Sequence, residues 1–131
     1  MANKHKILLV DDEKHILEFY GTVLAKNDYD CICVENGEAA MDMLATESVD
    51  VIVTDYKMPG MNGVELLEEI LETRPAMRRI MITGSYGTSD QMMSVLDNEL
   101  AHKVLSKPCG MDVFLAAISE QIEKIDPATD S

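Results

Sequence analysis

Short apolar runs alternate with longer amphipathic stretches along the whole chain. Ile7-Leu8-Leu9-Val10, Val51-Ile52-Val53 and Ile80-Met81-Ile82 are apolar throughout rather than at every second position. Strands that read this way are covered on both faces, as in a parallel sheet flanked by helices. The pattern predicts strands over 6–10, 30–34, 50–54, 79–83 and 102–106. Between them, apolar residues recur three and four positions apart, the stripe that a helix buries. The stripes are Ile16, Leu17, Tyr20, Val23 and Leu24, then Ala40, Met43 and Leu44, then Val64, Leu67, Ile70 and Leu71. A fourth helix over 89–98 offers Met92, Met93, Val95 and Leu96, and the last offers Val113, Phe114, Ala117, Ile118 and Ile122.

Local start and stop signals agree with these elements. Asn62 with Glu65 three residues on has the form of a capping box, and Thr88 with Gln91 repeats it. Pro75 stops the third helix, because it has no N–H to donate and its ring clashes with the preceding turn. Five β–α repeats imply a parallel sheet with right-handed crossovers. With no long linker or low-complexity stretch, one domain is expected over 1–126, and 127–131 read as a short polar tail.

At 131 residues the length is that of a single domain. The aromatic content of 5% and the absence of Trp make the core aliphatic, with the ten Met read as gap fillers. A net charge of −13 argues against direct nucleic-acid binding, since a phosphate backbone would be repelled. No long acidic run marks a disordered tail, so the excess acid belongs on solvated helix faces or in a cation-binding pocket. Three Cys fit neither a disulfide framework nor a four-ligand zinc site; Cys31 and Cys33 share a strand face and read as small buried hydrophobes. Lys4, His5 and Lys6 precede only four apolar residues before Asp11, too few for a signal peptide. No apolar run approaches the ~20 residues of a membrane span, so a cytoplasmic protein without a membrane partner is expected.

In an open parallel sheet, ligands bind beyond the carboxyl ends of the strands. Asp11, Asp12 and Glu13 follow the first strand, and Asp55 follows the third. Thr83 ends the fourth, and the fifth runs into Lys107-Pro108. Three Asp, a hydroxyl and an ammonium would therefore converge on one edge. Crowded carboxylates repel unless a cation sits among them, and oxygen ligands suit Mg²⁺. A carboxylate can act as nucleophile and form an acyl phosphate, while a Lys and a Thr supply charge and a hydrogen bond to the transferred group.

These residues form part of a wider match. Ile7-Leu8-Leu9-Val10-Asp11-Asp12-Glu13 resembles the opening of the receiver domain of bacterial two-component response regulators. Asp55-Tyr56-Lys57-Met58-Pro59-Gly60-Met61-Asn62-Gly63 resembles that family's phosphoacceptor loop. Ile82-Thr83-Gly84, Leu105-Ser106-Lys107-Pro108 and Glu35-Asn36-Gly37-Glu38-Ala39 complete the resemblance in order and spacing. It implies a flavodoxin-like (βα)5 three-layer sandwich with strand order 2-1-3-4-5. By the same resemblance, Asp55 accepts a phosphoryl group from a sensor histidine kinase or a phosphotransfer protein, and the switch acts on an output protein or a fused output domain. Asp11, Asp12, Asp55 and the backbone carbonyl of Lys57 would hold Mg²⁺, Asp11 through water. Thr83 and Lys107 would hold the phosphoryl group, and the Lys107–Pro108 bond would be cis.

Two positions depart from the family's usual pattern. Val104 stands where an aromatic ring is common, and Gly84 where Ala is more frequent. Val104 is too short to gate a cavity and stiff at χ1, so the activating change is expected in the loop over 84–88, with its two glycines. The alternative reading is a small Mg²⁺-dependent aspartyl-phosphate phosphatase or phosphotransferase. Its nucleophile usually follows the first strand in Asp-x-Asp, a spacing that Asp11-Asp12-Glu13-Lys14 lacks. A flavin or dinucleotide module would need a glycine-rich loop where these acids stand.

Overall fold

The computed structural model describes residues 4–84 and 89–125. Strands and helices alternate: β1 (Lys6–Val10), α1 (Lys14–Lys26), β2 (Asp30–Val34), α2 (Gly37–Leu44), β3 (Val51–Asp55), α3 (Gly63–Thr73), β4 (Arg78–Thr83), α4 (Ser89–Asp97), β5 (Lys103–Ser106) and α5 (Met111–Ile125). All strand pairs are parallel, in the order β2-β1-β3-β4-β5. The alternating pattern implied a parallel sheet, and the order is the flavodoxin-like one that the family resemblance implied.

The period of two along each strand divides the core into two halves. Ile7, Leu9, Val51, Val53, Ile80 and Ile82 face one layer with α1 and α5, where Leu17, Leu24, Phe114 and Ile118 are buried. Leu8, Val10, Ile52 and Met81 face the other, with Ala40 and Leu44 of α2, Leu66, Leu67 and Ile70 of α3, and Val95 of α4. This is why the central strands are apolar at every position: each side chain, up or down, meets a helix.

Three strands begin one residue away from their expected starts. Asp50 precedes β3 because its carboxylate accepts the Lys6 N–H at 2.9 Å, while Asp55 stays in the ladder opposite Ile82. His102 precedes β5 because its ring Nδ1, at 3.0 Å, accepts the Arg79 N–H that a strand carbonyl would otherwise take. The capping box at α3 is formed, with Asn62 and Glu65 exchanging bonds of 2.9 Å. Thr88 with its pairing to Gln91, the loop positions 85–88, residue 126 and the expected tail over 127–131 lie outside the described residues.

Some positions expected in buried stripes are not buried. Met93, Leu96 and Val113 are exposed. At about 100° per residue, each is rotated away from the stripe centred on Val95 or on Phe114, Ala117 and Ile118. Leu66, outside the expected set, is fully buried, and Gln121 is buried while accepting from Arg78 at 2.9 Å. Met58, Met77 and Met81 fill the core.

Cys31 and Cys33 overturn the expectation of two buried hydrophobes. Cys31 is half-buried and Cys33 exposed, because β2 is an edge strand. The hydrogen bond shared with Cys31 lowers the Cys33 thiol to about 7 against the effect of burial, and the same bond raises Cys31.

Away from the carboxyl ends of the strands, Arg79 is 2% exposed. Its guanidinium donates to the carbonyls of Leu100, Met77, Pro75 and Glu99 at 2.7–3.1 Å, tying the turn before β4 to the turn before β5. Burial, followed by the charges of Arg78, Arg79 and Lys124, lowers His102 to about 4. Between the ordinary histidine value of about 6.5 and about 4, the unfolded chain therefore takes up a proton that the folded chain does not. Stability should fall as pH drops through that window. His102→Asn keeps an acceptor for Arg79 and removes the titration, so urea midpoints should decline less steeply for this variant between pH 6.5 and 4. Parallel declines would show that His102 is not the group responsible.

Candidate functional site

The carboxyl ends of β1, β3, β4 and β5 bring the expected residues together. Asp11 follows β1, its N–H bonded to Val34 O at 3.2 Å. Its carboxylate accepts the Glu13 N–H at 2.9 Å, which fixes the side chain in the turn into α1. Asp55 is the last residue of β3 and accepts the Tyr56 N–H at 2.8 Å. Thr83 ends β4 and is buried, its hydroxyl donating to Gly84 O at 3.1 Å. Lys107 follows β5, its N–H donating to Thr83 O at 2.7 Å, so the ladder carries on far enough to aim the side chain. The Lys107–Pro108 bond is cis.

The Lys107 ammonium lies 2.8 Å from Asp11, 3.2 Å from Asp55 and 3.4 Å from Glu13. The side chains of Asp11, Asp55 and Lys107 are only 4%, 10% and 15% exposed, so this is a half-dry ion cluster, not a surface pair. Asp12 is exposed, yet Asp11, Asp12 and Asp55 each place a carboxylate oxygen within 4.8 Å of the others, a group that could hold a metal ion. Burial and then the charge of Asp11 raise the Asp55 carboxyl above its ordinary value, with Lys107 and the Tyr56 N–H pulling the other way. Burial works against the Lys107 charge, but Asp11 and Asp55 outweigh it and hold the lysine above its ordinary value. A cavity of about 900 Å³ opens over the cluster, with Asp12, Asp55, Lys57, Thr83 and Lys107 in its wall and Ile16, Phe19 and Tyr20 on the α1 side.

Comparison with known proteins gives this geometry a family. The family model of the response regulator receiver domain matches residues 7–119. The chain belongs to the response regulator receiver domain family. It is 31% identical over 124 residues to the transcriptional regulatory protein GlrR of Escherichia coli K12, across 95% of this chain and 28% of that protein. With the uncharacterized transcriptional regulatory protein YesN of Bacillus subtilis it shares 27%, across 92% of this chain and 33% of that one. The chain thus spans about a third or less of the length of these curated relatives. Among solved structures, a CheY-like response regulator receiver domain protein from Methanospirillum hungatei superposes with a TM-score of 0.90 at 28% identity, covering 95% of this chain and 98% of that one. The signal receiver domain of an HD domain-containing protein from Pseudomonas fluorescens gives 0.88 at 26%, covering 94% and 98%. A receiver domain is a phosphorylation-dependent signalling module of two-component systems. Among the described residues of this one, no helix is long and apolar enough to cross a membrane.

Three supports of the receiver site were not foreseen in the sequence. Glu13 reaches Lys107 as a third carboxylate. Tyr20, expected only as part of an apolar stripe, donates its hydroxyl to Cys109 O at 2.7 Å and packs on Phe114 with ring centres 4.3 Å apart. It thereby anchors the loop after Lys107 to α1. Gly63 lies against the backbone of Asp55 and Tyr56: its N–H donates to Tyr56 O at 2.8 Å, and a Cβ there would run into the Asp55 carbonyl. Glycine in the loop motif was the only available signal, and it does not say which backbone comes close. Gly63→Ala should cost about 1–3 kcal/mol through overpacking and displace the Asp55 loop. Urea unfolding checks it, and a midpoint equal to the parent's would contradict the close approach.

Proposed function

We propose that Asp55 is the phosphoacceptor of a Mg²⁺-dependent switch charged by a sensor histidine kinase or a phosphotransfer protein. The observation that carries this reading is the Asp55 carboxylate at the end of β3 with the Lys107 ammonium 3.2 Å away, beside two further Asp. A partly desolvated carboxylate is a better nucleophile than a hydrated one, and burial is the largest influence on Asp55. Its oxygen attacks the phosphorus of the donor phosphohistidine. The P–N bond breaks, its electron pair leaves with the imidazole, and an acyl phosphate forms. Lys107 turns from Asp11 toward the new phosphoryl oxygens. The Thr83 hydroxyl exchanges the Gly84 carbonyl for a charge-assisted bond to the same group.

Asp11, Asp12 and Asp55 suit a hard divalent cation. Each offers a carboxylate oxygen within 4.8 Å of the others, and Lys107 alone does not neutralise the three charges. Asp12, Asp55 and the Lys57 carbonyl would hold Mg²⁺ directly and Asp11 through water. When bound, the ion would offset charge on the phosphoryl oxygens. The domain is a signalling module, not a turnover enzyme; it assists its own phosphorylation and dephosphorylation and passes the change to an output protein or fused output domain. The receiver unit would span 1–126, followed by a short polar tail, in a cytoplasmic protein. A net charge of −13 assigns any nucleic-acid contact to the output part.

Asp55→Asn keeps the shape and removes the chemistry. Acetyl phosphate with Mg²⁺ should give the parent an acid-stable, hydroxylamine-labile phosphate visible in the intact mass, and the variant none. Undiminished labelling of the variant would overturn the assignment. Mg²⁺ binding only the folded chain should stabilise it by about 1.4 kcal/mol at tenfold excess over Kd, and less at the same concentration in Asp12→Ala. Equal shifts in both proteins would remove Asp12 from the ligand set.

A further inference from the structure

Cys31 and Cys33 stand two positions apart on β2, so their side chains point to the same face of the sheet. Their sulfurs are 3.8 Å apart, and the Cys33 sulfur lies 3.8 Å from the Leu17 carbonyl of α1. Among the described residues the strand is hydrogen-bonded to β1 alone, so its outer edge can deform without breaking a second ladder. Cys33 is exposed at a groove of about 520 Å³ between α1 and β2. Gly21 faces it across the groove: a Cβ there would stand 3.3 Å from the Cys33 sulfur, so the missing side chain leaves a small oxidant room to approach. The third thiol, Cys109, is buried beyond the far edge strand β5 and cannot compete. Nothing in the phosphoacceptor chemistry uses this pair.

We propose that Cys31 and Cys33 form a modification site, oxidised by hydroperoxides to a reversible intrastrand disulfide. The Cys33 thiolate attacks a peroxide oxygen; the O–O bond breaks, and the leaving hydroxide or alkoxide takes a proton to become water or an alcohol. Cys33 is then a sulfenic acid. The Cys31 thiol gives up its proton, its sulfur attacks that of Cys33, the S–O bond breaks, and the hydroxide leaves as water with that proton. With hydrogen peroxide, two thiols lose two hydrogens and one peroxide becomes two waters. The hydrogen bond shared with Cys31 lowers the Cys33 thiol and favours its thiolate, beside a resolving thiol. Residues two apart on a strand have Cα atoms about 6.6 Å from each other, near the upper limit for a disulfide. The bridge is therefore strained and easily reduced, which suits reversible use.

Intact mass and peptide mapping after hydrogen peroxide test this. The parent should lose the mass of two hydrogens, stay monomeric on a non-reducing gel, and recover with glutathione. Cys31→Ser should instead gain one oxygen, trapped by dimedone at Cys33. Cys33→Ser should react at least tenfold more slowly. An unchanged rate in Cys33→Ser, a bridge to Cys109 or a covalent dimer would overturn the proposal. Should Cys33→Ser not fold, iodoacetamide mapping of the parent decides: Cys33 must be alkylated before Cys31 and Cys109, and any other order overturns it. These readouts are independent of phosphorylation at Asp55.

Discussion

At the carboxyl edge of the sheet, the Lys107 ammonium holds Asp11 and Asp55 within 2.8 and 3.2 Å, with all three side chains largely buried beneath the cavity. Carboxylates this close repel strongly where screening is weak, and the lysine lets β1 and β3 keep their acidic ends side by side. Its position depends on the β4–β5 ladder continuing to the Lys107–Thr83 backbone bond and on Tyr20 fastening the following loop to α1. Those links depend in turn on helices covering both faces of the sheet. The fold can thus be read as the means of bringing like charges together around one cation.

The same chain treats a second buried cation in the opposite way. Arg79 is satisfied by four backbone carbonyls, which gives it a fixed structural role in joining two turns. Lys107 is paired with carboxylates that other cations can also use, and its long stem can turn to a new anion. A guanidinium locked by carbonyls holds the scaffold still; an ammonium shared among carboxylates remains exchangeable.

Edge and centre of the sheet differ for an equally simple reason. β3 is covered on both faces and bonded on both sides, and all its residues are buried. β2 is bonded on one side, and its cysteines face a groove that Gly21 leaves partly open. Residues at the centre of the sheet are thus closed to solvent, while Cys33 at the edge stands exposed to it.

Much of this was legible in the residues alone. The alternation of apolar runs and helical stripes determined the strands and the parallel class, because burial on both faces of a sheet leaves a continuous apolar signature. Acids, hydroxyl and lysine placed directly after successive strands determined the candidate site, since strand ends of a parallel sheet share one edge. The tertiary structure decided what depends on neighbours from distant sequence. Glu13 on Lys107, the Tyr20 hydroxyl on Cys109 and Gly63 beneath Asp55 are contacts between segments whose approach no local pattern encodes. The same holds for exposure: Met93, Leu96 and Val113 share the polarity of the core but not its direction, and Cys33 lies on a face that only the neighbouring helix could have covered. Periodicity says that a face is apolar; which part of it meets another element is set by how the helices come to rest on the sheet.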